Sequence, residues 1–84
     1  MRYRLSLHAQ AQIEQRKLPL QLVQIVLESP QQIVESDGAK VYQSQFDYNN
    51  KTQLLRVVVN DRVDPALVIT IYVTSKISKY WREQ

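Results

Sequence analysis

The chain has 84 residues and a formal charge of +3, and 44% of its side chains are apolar. With one Gly and three Pro, that apolar share excludes a disordered linker, and so short a chain holds a single core, residues 1–84 forming one domain. No Cys and one His exclude a disulfide framework, a thiolate nucleophile and a Cys- or His-rich metal centre, so neither metal nor cofactor is expected.

Residues 2–5 suit a short strand or an ordered arm. The spacing predicts a helix over 6–17: Ser6 can cap it, Ala9 and Ile13 share one face, and His8, Gln12 and Arg16 share another. Pro19 fits the first turn of a second helix over 19–28, whose apolar face is Leu22, Val23, Val26 and Leu27, and which stops before Ser29-Pro30. A very short connection makes the pair a helical hairpin.

After Pro30 the period falls to two. Strands are predicted over 32–36, 40–48, 53–60 and 66–74, with turns at Asp37-Gly38, at Asn49-Asn50-Lys51 and across 61–65. Asp61 and Asp64 read as turn formers. The tail 75–84 reads as a short helix or an arm crossing the sheet. The expected fold is α+β and two-layered, the hairpin packed on a four-stranded antiparallel meander, with an extra strand from the N-terminal segment as an option.

Alternation sorts the strands into faces. Leu67, Ile69, Ile71 and Val73, with Leu55, Val57 and Val59, form all-aliphatic sets expected beneath the helices. The opposite wall is then expected to be open and to carry Arg56, Asn60, Thr70, Tyr72 and Thr74, joined by Lys40, Tyr42 and Ser44 if the second strand shares that register. Cations interleaved with Tyr suit single-stranded RNA, because Arg and Lys neutralise phosphates while rings stack on unpaired bases. The plainer reading is an ordinary solvent-facing sheet.

His8 is the natural acid–base group, since only His titrates near neutrality unperturbed; the plainer reading is a helix-packing residue. Arg16, on the same helix face, could clamp a phosphate beside it. The tail segment Ser75-Lys76-Ile77-Ser78-Lys79-Tyr80-Trp81-Arg82 alternates three cations with two aromatics, a pattern that suits nucleic acid. Trp81 is expected to dock on the core instead. Glutamine is abundant but scattered, and no apolar run approaches the roughly 18 residues that span a bilayer. Nothing after Arg4 resembles the apolar segment of a secretion signal, so a cytoplasmic protein is expected, away from membranes.

Several segments together resemble a known family. They are Ser6-Leu7-His8-Ala9, Gln15-Arg16, Glu28-Ser29-Pro30, Val41-Tyr42-Gln43 and Val68-Ile69-Thr70-Ile71-Tyr72. Over about residues 3–80 the chain resembles the family known as domain of unknown function 4258. That family is similar to the RelE/ParE-like and BrnT-like toxins of bacterial toxin–antitoxin modules. The resemblance implies a RelE-toxin-like fold acting as an endoribonuclease on RNA, restrained by an acidic antitoxin. His8, Arg16, Thr70 and Tyr72 fall on its recurrent positions. Lys40, Tyr42, Arg56 and Lys76 match in character, as basic or aromatic groups near the expected surface.

Metal-independent cleavage would have the 2′-hydroxyl attack the neighbouring phosphate. His8 would move protons, Arg16, Arg56 or Lys76 would hold the phosphate, Tyr72 would stack or donate a proton, and Thr70 would hydrogen-bond the RNA. Lys40, Tyr42, Thr74 and Lys76 complete the expected RNA-binding set. One tension is visible already: His8 belongs with the helices, while Arg56 and Tyr72 face away from them. The alternative reading is a non-catalytic interaction module that docks a partner through its sheet face or edge, or pairs with a second copy as a homodimer.

Overall fold

A computed structural model describes residues 2–83; Met1 and Gln84, the outermost positions of the expected domain and tail, lie outside the described residues. The element order is β1 (Tyr3–Leu5), α1 (Leu7–Arg16), α2 (Leu20–Glu28), β2 (Gln32–Ser36), β3 (Ala39–Tyr48), β4 (Lys51–Asn60), β5 (Ala66–Thr74) and α3 (Ile77–Tyr80). The fold is α+β, with two helices packed on a sheet, as the periodicity predicts.

The sheet has five strands in the order β1-β5-β4-β3-β2, and it is mixed. Strands β2 to β5 form the expected antiparallel meander. The N-terminal segment adds β1 at the edge, parallel to β5, with Tyr3 opposite Ala66 and Leu5 opposite Val68. Capping β5 in this way satisfies backbone groups that a four-stranded sheet would leave at an open edge.

Ser6 caps α1 as expected, its Oγ accepting from the Ala9 amide at 3.0 Å. The same hydroxyl donates to the Ile69 carbonyl at 2.7 Å, which ties the helix start to β5. Lys17 ends α1 with φ 52, and Pro19 caps α2 from just outside it. Ala9, Val23, Val26 and Leu27 are buried against Tyr42, Leu55, Val57, Val59, Ala66, Val68 and Ile71. Each large aliphatic side chain buried in this layer contributes roughly 1.5–3 kcal/mol.

Two details of register depart from simple alternation. The hairpin turns are both two-residue turns with positive φ at each central position: Asp37 (51) with Gly38 (79), and Asn49 (53) with Asn50 (62). That is the type I′ pattern, and it extends β4 back to Lys51 rather than residue 53. It also sets Tyr42 opposite Val57 and Gln43 opposite Arg56. Lys40, Tyr42 and Ser44 therefore share the helix side with Val59, Val57 and Leu55, not the opposite wall.

In β5 a bulge intervenes. Val59 pairs with Val68 but Val58 pairs with Thr70, so Ile69 is the extra residue. The helix face of β5 accordingly runs Ala66 and Val68, then Ile71 and Val73. Of the expected set Leu67, Ile69, Ile71 and Val73, only the last two belong to it; Leu67 is half-buried and Ile69 is 39% exposed.

The second wall is not open. The segment containing α3 and residues up to 83 lies across it, and beneath lie Val41, Leu54, Gln43 and Arg56, all buried. Hydrogen bonds fix that strap: Gln43 Nε2 donates to the Tyr80 carbonyl at 3.2 Å and Gln32 Nε2 to the Arg82 carbonyl at 2.6 Å, while the Arg82 amide returns one to Gln32 Oε1 at 3.1 Å. The covering follows from apolar economy, since Val41 and Leu54 would otherwise leave a second hydrophobic face in water.

Candidate nucleic-acid interface

The strand register lines up four polar residues in one row across the sheet: Gln32 on β2, Gln43 on β3, Arg56 on β4 and Tyr72 on β5. Neighbours in the row are about 5 Å apart, the spacing of paired strands, and each is bonded to the next. Gln43 Nε2 donates to Gln32 Oε1 at 2.8 Å, Arg56 Nε donates to Gln43 Oε1 at 2.9 Å, and Arg56 Nη1 donates to the Tyr72 hydroxyl.

Arg56 is 7% exposed. Its guanidinium carbon lies 4.1 Å from the centre of the Tyr80 ring and 5.5 Å from that of Tyr72, and the two rings meet edge to face at 6.2 Å. Each such contact with an aromatic face is worth about 0.5–2 kcal/mol. The ion pairs among the described residues, Arg2 with Asp64 and Lys40 with Asp61, do not include Arg56.

Beside this cation runs a groove of about 420 Å³, lined by Arg56 together with Lys79, Tyr80, Trp81 and Arg82 from the strap. Val34 and Ser36 of β2 line it as well, and among the described residues no acidic side chain does. Lys79 Nζ lies 5.3 Å from the Tyr80 ring, so that ring carries a cation contact from the strap as well as from Arg56. Three cations and two aromatic rings on one groove can hold a phosphate and stack a base.

The remaining residues singled out from the sequence are scattered. His8 is exposed in the first turn of α1, on the helix side, with the sheet between it and the groove. Arg16 is exposed about 12 Å further along that helix. Its Nε donates to Gln12 Oε1 at 3.3 Å, and it lines a separate small cleft of about 130 Å³ with Leu18, Phe46 and Tyr48. Tyr42 belongs to the core on the helix side and is 8% exposed, so it is not part of an RNA-facing wall.

Lys40 is paired with Asp61 at 2.8 Å. The hydrogen bond between them raises the Lys40 ammonium above its ordinary value and holds the Asp61 carboxyl below its own. Thr70 is half-buried at the bulge. Thr74 Oγ1 accepts from the Lys76 amide at 3.0 Å, which starts the strap, and the Lys76 side chain is exposed. Arg56 and Tyr72 are thus brought together, and His8, Arg16, Lys40 and Tyr42 are kept away from them.

Gln32 and Gln43 are the residues that alternation alone missed. Their signal lay in the turns: with two-residue turns at Asp37-Gly38 and Asn49-Asn50, counting back from each places both glutamines level with Arg56. Among the described residues no three His, Asp or Glu side chains gather as a metal site, and no helix is long and apolar enough to cross a membrane.

No curated protein and no solved structure matches this chain. The family model described as a domain of unknown function, DUF4258, matches residues 5–73, from the end of β1 almost to the end of β5, and the chain belongs to that family.

Proposed function

We propose that this protein is a toxin-like RNA-binding domain of the cytoplasm that takes single-stranded RNA along the groove beside Arg56. The observation that carries the reading is a buried guanidinium with no carboxylate partner among the described residues, opening on a groove whose other cations are Lys79 and Arg82 and whose rings are Tyr80 and Trp81. Phosphates meet the three cations while unpaired bases lie against the rings. In the same reading an acidic antitoxin restrains the protein by competing for those cations.

Metal-independent cleavage extends this reading. Arg56, fixed by Gln43 and Tyr72, is preorganised for a phosphate whose negative charge grows. The Tyr72 phenol, bonded to Arg56 beside the groove, protonates the departing 5′-oxygen as the 2′-oxygen attacks phosphorus and gives its own proton to water; the phenol then regains a proton from solvent. His8, across the sheet, serves no phosphate held there.

Binding of labelled single-stranded RNA, followed as salt is raised, tests the site. Phosphate contacts from three cations predict a log–log slope of about −2, and Lys79→Ala should reduce it by about 0.7. Duplex RNA of the same sequence should bind more weakly, because its bases are not free to stack. In a chelator-containing cleavage assay, Tyr72→Phe should lower the rate on the order of 10²-fold while His8→Ala leaves it unchanged. Binding indifferent to both salt and the Lys79→Ala, Arg82→Ala double substitution would remove the site.

The second reading is a docking module without catalysis. It is favoured by β2, an edge strand bearing Ile33 at 50% exposure, which could accept a partner strand.

A further inference from the structure

Arg56 is the only charged side chain among the described residues that is nine-tenths buried. Every partner it has among the described residues is neutral: the Gln43 amide oxygen, the Tyr72 hydroxyl and two aromatic faces. Withdrawing a cation from water without a counter-ion is costly, and neutral acceptors offset only part of that cost. An anion seated in the adjoining groove supplies what is missing.

The groove narrows the choice of anion. Lys79 and Arg82 join Arg56 on it, and among the described residues it has no acidic lining. A bridging phosphodiester brings one negative charge to these three cations; a terminal phosphate monoester brings about 1.5 to 2 near neutral pH, with three acceptor oxygens. The volume, about 420 Å³, falls at the small end of the roughly 300–1,000 Å³ of small-molecule sites, which suits a single nucleotide rather than a run of them. Tyr80 and Trp81 then offer a face to the one base attached to that phosphate.

We propose that the groove is a subsite for the phosphorylated end of an RNA strand, with the terminal phosphate monoester on Arg56, Lys79 and Arg82 and the terminal base against Tyr80 or Trp81. The proposal rests on the RNA-binding reading above and specifies which part of the strand the groove takes. A guanidinium buried without a carboxylate among the described residues, in a groove shared with Lys79 and Arg82, is the juxtaposition that supports it.

The single Trp of the chain lines the groove, so its fluorescence reports occupancy directly. The full chain is titrated with inorganic phosphate, uridine and uridine monophosphate, then with one short oligouridylate carrying a 5′-phosphate, a 3′-phosphate or neither. The expected result is that one phosphorylated end binds about tenfold or more tighter than the unphosphorylated strand, a difference of about 1.4 kcal/mol. Uridine monophosphate should shift the Trp81 emission where uridine does not.

The double substitution Lys79→Ala, Arg82→Ala alters exposed or groove-lining strap residues and should erase the advantage of the phosphorylated end. Arg56→Lys should reduce it with the fold retained by circular dichroism. Equal affinity for all three oligonucleotides overturns this proposal and leaves RNA binding standing. Failure of all three to bind overturns both. Inorganic phosphate binding as tightly as the nucleotide also overturns it, leaving a plain anion site.

Discussion

The Gln43 side chain, with 0% of its surface exposed, serves three partners: it accepts from Arg56 and donates to Gln32 and to the Tyr80 carbonyl. Gln43→Ala would strand the Arg56 Nε–H in a site closed to water. An orphaned buried donor costs about 1–3 kcal/mol, more where the donor is charged. Urea denaturation should therefore show a loss of at least that size, and Trp81 emission should shift toward that of an exposed ring as the strap loosens. A loss under 0.5 kcal/mol would mean that the amide is not what holds the strap. None of this is visible in composition, because a Gln among scattered glutamines acquires its role only from what faces it across a strand.

Elements were legible where local chemistry sets them. The Ser6 cap, the Pro19 start of α2, the stop before Pro30 and the Asp37-Gly38 turn all act within a few residues, and all are where the sequence places them. Register was less legible. Reading Asn49 to Lys51 as a three-residue turn shifts β3 against β4 by one position, and with period two that moves Tyr42 from the core to the opposite wall. The bulge at Ile69 carries no mark in its run of β-branched residues; it arises where Ser6 reaches over to take the Ile69 carbonyl. Ser6→Ala removes both a helix cap and that crosslink. It should cost about 1–2 kcal/mol, read as a lower urea midpoint at unchanged slope.

At the scale of the molecule, charge is spread thinly, and one surface pair couples stability to pH. Lys40 is raised and Asp61 lowered by their shared hydrogen bond. The Asp61 contribution is present above the ordinary carboxyl value near 4 and is lost as pH falls through its depressed folded value. The Lys40 contribution is present below its ordinary value near 10.4 and is lost as pH rises through its raised folded value. The melting temperature of Asp61→Asn should thus lie slightly below that of the parent at neutral pH and low salt, and converge with it as pH falls through the depressed Asp61 value. The candidate site was half legible at this scale: the cations and rings of the tail were evident, but not that the tail folds back over Arg56. Its Lys79, Tyr80 and Arg82 lie beyond residues 5–73, the part matched by the family.

The placing of β1 has an effect on the order in which the chain is completed. Tyr3 to Leu5 come before every other element in sequence, yet among the described residues their strand partner is Ala66 to Val68, and Ser6 is joined to Ile69 across 63 positions. Closing so long a loop costs more chain entropy than pairing the hairpins of the meander. The hairpins of the meander can therefore form before this three-residue strand is seated, and until it is, β5 carries a bare edge open to pairing with another chain.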